Sequence, residues 1–280
     1  MYIRIIPRLD IKGPNLVKGI HLEGLRVLGK PEQYAKHYYE NGADELLYMD
    51  VVASLYGRNS LHDIIERTAK EIFIPLTVGG GIRSIDDIKS ILRAGADKVS
   101  INTAAVQNPN LIYQASQIFG SSTIVVTIEA INQEDGNYYV FTDNGREKTN
   151  LEVVSWAKKV ERLGAGEIIL TSVDREGTGK GFDLKLLKKL ANELSIPVII
   201  HGGAGKLEHL KEAIIEGQAS AVSIASMFHY HYLGSNHIDT ALEEGSAKFI
   251  KNGDAPANIN KKSIKVVKKY LVENKIPCRN

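Results

Sequence analysis

An internal repeat constrains this chain more than any other feature. The stretch Ile74-Pro75-Leu76-Thr77-Val78-Gly79-Gly80-Gly81-Ile82 returns 122 residues later as Ile196-Pro197-Val198-Ile199-Ile200-His201-Gly202-Gly203-Ala204. Around it, Ala96-Asp97-Lys98-Val99-Ser100-Ile101-Asn102-Thr103 is echoed by Ala219-Ser220-Ala221-Val222-Ser223-Ile224-Ala225-Ser226, and Leu47-Tyr48-Met49-Asp50 by Thr171-Ser172-Val173-Asp174, in the same order. A unit of roughly 120 residues is far longer than a solenoid repeat, so the chain reads as two like halves. Each half contains an apolar strand that stops at glycines and gives way to a helix start. Glycine at such a junction admits close backbone approach and leaves N–H groups free to point at an anion.

Short apolar runs alternate with helical patterns along the whole chain. Strands are predicted near 3–10, 45–52, 74–78, 97–101, 123–130, 166–172, 196–201 and 220–224, and helices near 31–41, 58–70, 84–94, 107–118, 150–163, 183–194, 206–216 and 263–274. Pro31 and Pro109 mark first helical turns, and Ser84 followed by Asp86 and Asp87 supplies a hydroxyl cap with acids behind it. Near-continuous apolar strands call for a parallel sheet covered by helices. Eight strand–helix units in two matching halves predict closure into an α/β (β/α)8 barrel, half-barrels about 1–122 and 123–232, in one domain. A doubly wound open sheet is the alternative, but it does not call for the repetition. Three connections are long. Residues 12–30 read as a mobile loop over the mouth after the first strand, 131–149 as a small hairpin, and 230–259 as a polar, irregular cap.

With 35 basic and 33 acidic residues, a net charge of +2 gives no electrostatic case for nucleic acid or a membrane surface. No run reaches the length of a membrane span. The single cysteine, Cys278, cannot form an internal disulfide, and the first residues lack a basic-then-apolar leader pattern, so a cytoplasmic protein is expected.

In a barrel of this kind the active site lies at the C-terminal ends of the strands. The first strand ends in Arg8-Leu9-Asp10 and the fifth in Ile128-Glu129-Ala130, on opposite sides of one mouth. Two carboxylates so placed can serve as general acid and general base; the alternative is that each is a salt-bridged strand end. Two donor clusters flank them: Gly79, Gly80 and Gly81 with Asn102 and Thr103, and Gly202 and Gly203 with Ala225 and Ser226, Gly177 and Thr178 nearby. Together they suit a ligand carrying a phosphate at each end. At the opposite face, Arg4 shares the inward face of the first strand with Ile6, Arg8 and Asp10, while Glu45, Lys98 and Glu167 begin other strands. Interior charges must pair, so these four form either a salt-bridge plug or a gate for a small molecule entering from below.

The motifs Arg8-Leu9-Asp10-Ile11-Lys12, Thr77-Val78-Gly79-Gly80-Gly81-Ile82, the stretch from Ala96 to Ala105, Leu170 to Thr178 and Gly202-Gly203-Ala204-Gly205-Lys206 resemble the HisF family, the cyclase subunit of imidazole glycerol phosphate synthase, over residues 2–232. The resemblance implies a heterodimer in which a HisH-type glutaminase docks on the barrel floor. Ammonia crosses the barrel and meets a bisphosphate ribonucleotide, and the products are imidazole glycerol phosphate and an aminoimidazole carboxamide ribonucleotide. No cofactor and no metal are called for. By the same resemblance Asp10 is the first catalytic carboxylate, Lys18 the loop lysine, and Arg4, Glu45, Lys98 and Glu167 the ammonia gate. The chain departs from the family in Glu129 for aspartate, Arg8 for cysteine, Glu176 for aspartate and His201 for serine. An interior cation beside the two carboxylates is expected to lower their pKa values and make either a poorer proton donor. The segment from Arg8 to Val27 also resembles HisF-like paralogues of surface-polysaccharide loci, which supply ammonia for amidino-sugar synthesis.

Overall fold

The computed structural model describes residues 2–53, 61–235 and 255–279. The expected helix start at 58–60 and most of the expected irregular stretch 230–259 lie outside them. Eight parallel strands close on themselves: β1 (Arg4–Lys12), β4 (Leu46–Asp50), β5 (Leu76–Gly79), β6 (Lys98–Ile101), β7 (Ile124–Asn132), β10 (Glu167–Ser172), β11 (Val198–His201) and β12 (Ala221–Ile224). The seam is a six-residue ladder from Glu167 opposite Val125 to Ser172 opposite Ala130. The fold is therefore the expected (β/α)8 barrel.

The helices lie outside: α1 (Pro31–Glu40), α2 (His62–Ala69), α3 (Ile85–Arg93), α4 (Thr103–Gln107), α5 (Asn110–Phe119), α6 (Val153–Arg162), α7 (Leu184–Glu193), α8 (Leu207–Ile215), α9 (Ser226–Ser235) and α10 (Ile264–Glu273). Their starts follow local chemistry. Pro31 opens α1, and Ser84 caps α3 by accepting from the Asp87 amide. Pro109 stands one position before α5 rather than in its first turn.

Strand alternation divides the apolar residues into two bodies. Ile5, Leu9, Tyr48, Val78, Ile168 and Ile200 face outward and pack under the helices. Ile6, Leu47, Val125, Ile169 and Ile199 face inward. Followed through the strand registers, the inward positions form tiers. Arg4, Glu45, Lys98 and Glu167 make the floor, and the apolar girdle lies above it. Arg8, Thr127 and His201 come next, with Thr171 and Ser223 beside them. Asp10 and Glu129 stand at the top.

Three expectations are corrected. Residues 12–30 are not a loop but an antiparallel hairpin, β2 (Asn15–Ile20) and β3 (Glu23–Gly29), which continues β1 by pairing Asp10 with Val17 and Ile11 with Leu16. The helix after the eighth barrel strand is α9, within a stretch expected from Tyr230 on to be irregular; α10 comes later as an additional element. The start of the expected helix 150–163 is instead strand β9 (Glu147–Glu152), paired with β8 (Tyr138–Thr142) in the hairpin expected after the fifth strand.

At the floor rim α10 is tied to the barrel. Asp44 accepts from Lys268 Nζ at 2.8 Å and from the Ile5 amide at 2.7 Å, all three buried. Removing one partner strands the other charge, so Asp44→Ala is expected to destabilise the fold by roughly 3–5 kcal/mol in denaturant unfolding. Lys268→Met, which removes the stranded ammonium as well, should restore much of that loss in the double variant.

Candidate active site

The two mouth carboxylates stand on β1 and β7, half a turn of the barrel apart. Arg8 sits between them, almost wholly buried. Its Nε donates to Asp10 Oδ1 at 2.8 Å and its Nη1 to Thr171 Oγ1 at 3.3 Å. Among the described residues Glu129 has no such direct ion pair; its Oε2 accepts from the Gly145 amide at 2.7 Å.

This asymmetry pulls the carboxyls apart. Burial pushes Asp10 upward, but attraction to Arg8 and Lys18 outweighs it and holds the group below the usual carboxylate range. Burial drives Glu129 up to about 7, and the opposing influence of Arg8 and the Gly145 N–H does not cancel it. Arg8 thus lowers both groups as expected, but Glu129 still ends above the ordinary range, because desolvation exceeds an attraction not shortened into a hydrogen bond.

Gly80 and Gly81, both at positive φ, join Asn102, Thr103 and Glu129 around a cavity of about 200 Å³. The first donor cluster and one carboxylate therefore share one space. Within it Thr103 Oγ1 accepts from the Asp143 amide at 3.1 Å, and Asn102 Nδ2 donates to the Phe141 carbonyl at 3.1 Å. The second cluster occupies the matching rim across the barrel. Gly202 and Gly203 end β11 at positive φ, Ala225 and Ser226 join β12 to α9, and Thr178 Oγ1 donates to the Arg175 carbonyl at 2.7 Å. A Cβ on Gly203 would lie 2.1 Å from the Gly181 carbonyl oxygen, so loop packing requires glycine there independently of any ligand.

The β2–β3 hairpin covers this second side. Lys18 is buried, donates to its neighbour Gly19 at 2.8 Å and forms an ion pair with Glu176. The other Glu176 oxygen accepts from the Leu22 amide at 2.9 Å, and the Glu176 carbonyl accepts from His21 N at 3.0 Å. A Cβ on Gly177 would lie 2.8 Å from the Gly19 carbonyl oxygen, so only glycine lets the hairpin lie this close. Glu176 thus holds the hairpin down, a role that the sequence, where it is only a glutamate in place of aspartate, does not display.

At the other end of the bore, the four floor charges form a closed alternating ring. Arg4 Nη1 meets Glu45 at 2.7 Å and Glu167 at 2.8 Å; Lys98 Nζ meets Glu45 at 3.3 Å and Glu167 at 3.1 Å.

A parallel barrel with opposed carboxylates at its mouth and repeated glycine rims defines the class, and comparison gives the family. The model of the histidine biosynthesis protein family matches residues 4–233. The chain belongs to that family, and within it to the HisF branch. It is 61% identical over 206 residues to the imidazole glycerol phosphate synthase subunit HisF of Legionella pneumophila, covering 74% of this chain and 97% of that one. It is 50% identical to the subunit of the same name from Methanocaldococcus jannaschii, covering 81% and 90%, and 50% identical to that of Bacillus licheniformis, covering 86% and 96%. Among the described residues no helix is long and apolar enough to cross a membrane.

The raised Glu129 carboxyl makes a checkable statement about stability. The folded state holds a proton that the unfolded chain releases near 4.5, so stability contributed by this group is complete below about 4.5 and is lost as pH rises through about 7. At 1.36 kcal/mol per unit this amounts to roughly 3 kcal/mol. Glu129→Gln is expected to flatten that part of the pH dependence of unfolding; a slope unchanged in the variant would place the titration elsewhere.

Proposed function

We propose that this chain is the ammonia-using cyclase subunit of an imidazole glycerol phosphate synthase, a lyase acting on a bisphosphate ribonucleotide with ammonia from a HisH-type glutaminase. The observation that carries the reading is the pair of carboxylates facing one mouth with their proton affinities driven apart. Asp10, held ionised, accepts a proton; Glu129, protonated up to about pH 7, donates one. Lys18 adds a buried cation beside Asp10. Gly80, Gly81, Asn102 and Thr103 receive one phosphate, and Gly177, Thr178, Gly202, Gly203, Ala225 and Ser226 the other, through backbone N–H groups and hydroxyls. No cofactor is needed for these steps.

The floor ring supports the glutaminase partner. Its four charges satisfy one another at the point where the bore opens, so a neutral molecule could cross on a small rearrangement of Lys98, the more weakly held cation. Tyr2 and Phe73, which precede β1 and β5 on the same face, expose most of their aromatic surface, as a partner-binding rim would.

The test is ammonia-dependent cyclisation by the purified chain without glutaminase. Asp10→Asn is expected to abolish it. With glutaminase present, Lys98→Ala should leave glutamine hydrolysis running while its ammonia is lost to solution, yet leave the use of added ammonium nearly unchanged. If neither coupling nor partner response changes, the ring is a structural plug.

One observation favours a second reading, the ammonia conduit of HisF-like paralogues: the Arg8–Asp10 ion pair engages the carboxylate that the cyclase reaction must use. On that reading the unmodified chain cyclises near background, and Arg8→Cys combined with Glu129→Asp raises turnover. Cyclisation by the unmodified chain at the rate of its HisF relatives would falsify it.

A further inference from the structure

Two buried polar atoms in the upper bore have no partner among the described residues: Nε2 of His201 and Oγ of Ser223. They belong to β11 and β12, whose registers set these two residues side by side. Alternation along each strand, with Ile199 and Ala221 inward, turns both side chains into the barrel. The tier they occupy lies between the apolar girdle and the Asp10–Glu129 level.

The proton on His201 can be placed. Its Nδ1 lies 3.1 Å from the Ser223 backbone oxygen, and a carbonyl can only accept. Nδ1 therefore carries the hydrogen, and Nε2 is a bare lone pair. The charged groups around the ring are Arg8, Asp10 and Lys18. Burial, with Arg8 and Lys18, keeps the imidazole neutral, and Asp10 opposes them without prevailing.

A buried acceptor without a donor among the described residues asks for an occupant that donates N–H or O–H. The occupant must be small, because Arg8 already fills much of the same tier. It must also be uncharged, because a cation would sit against the Arg8 guanidinium and would first have to cross the apolar girdle. We propose that His201 Nε2 and Ser223 Oγ form a seat for neutral ammonia inside the barrel, directly beneath the catalytic carboxylates. Both atoms can accept an N–H. Held so, ammonia keeps its own lone pair disengaged and free to face the mouth, the orientation that a nucleophile needs. This inference rests on the ammonia-using reading above, and water is the competing occupant.

The experiment uses the intact chain labelled with 15N-histidine. The His201 Nε2 resonance, assigned by its absence from His201→Gln, is followed as ammonium chloride is added at alkaline pH, where much of it is neutral ammonia. The expected result is a saturable movement of that resonance, absent with potassium chloride at equal ionic strength and absent at acidic pH, where only ammonium is present. No movement, or equal movement with potassium chloride, means that the seat holds water, and the proposal is overturned.

In turnover, His201→Leu should raise the KM for ammonia at least tenfold while leaving the KM for the bisphosphate ribonucleotide unchanged. His201→Gln, whose amide oxygen accepts, should recover most of that loss. Equal effects on both constants, or an effect on kcat alone, would also overturn the seat. If the unmodified chain shows no cyclisation, the proposed activity fails while the resonance titration still decides the ammonia site.

Discussion

Closure of the sheet is the constraint on which everything else in this protein depends. Once β7 pairs with β10, none of the eight barrel strands is left at an open edge, and every second residue of those strands is committed to a shared interior. Charges placed on that face are largely withdrawn from solvent and must find one another. The floor meets the demand with a ring in which each carboxylate bridges two cations. The top meets it unequally: one carboxylate receives the guanidinium and the other receives a backbone amide. That inequality gives the mouth two groups of different proton affinity from two similar side chains.

The hairpin over the mouth follows from the same strand. Because β1 runs past the barrel rim to Lys12 and turns back on itself, Lys18 is carried above Asp10 by backbone pairing. Its ammonium therefore arrives in the site by main-chain geometry, and Glu176 fixes it there.

Much of this was legible before any coordinates. The repeat and the alternation of apolar runs with helix starts foretold eight strands, and period-two counting from Arg4 to Asp10 placed four side chains of β1 inside. The floor charges were visible because each stands at the first turn of a strand. Helix α9 was not legible: Ser-Met-Phe-His-Tyr-His-Tyr-Leu-Gly-Ser has no polar face, since its residues pack on several sides, and the periodic signal is lost. The β2–β3 hairpin hid behind glycines at both ends, and β9 is too polar to read as a strand. The state of Glu129 was not legible either, because burial, which depends on what covers the mouth, overrides the nearby arginine that the sequence displays. His201 was visible only as an unusual residue. Its tautomer depends on the Ser223 carbonyl of the neighbouring strand, which no local pattern announces.

Ile3 and Cys278, far apart in sequence, meet at the floor. Ile3 forms a bridge with Cys278, and its amide donates to the Pro277 carbonyl; α10 anchors beside it through Lys268 and Asp44. On the ribosome these partners are made at opposite times. The first strand emerges with one neighbour soon to follow, waits for Ala221–Ile224 to gain the other, and is fastened at its base only after Pro277 and Cys278 have been made. Throughout elongation the unfinished barrel exposes an unpaired edge of β1 beside its most apolar strands, a stage at which such chains are open to mispairing. Completion of this fold therefore waits on residues 264–278, and that segment sets its timing.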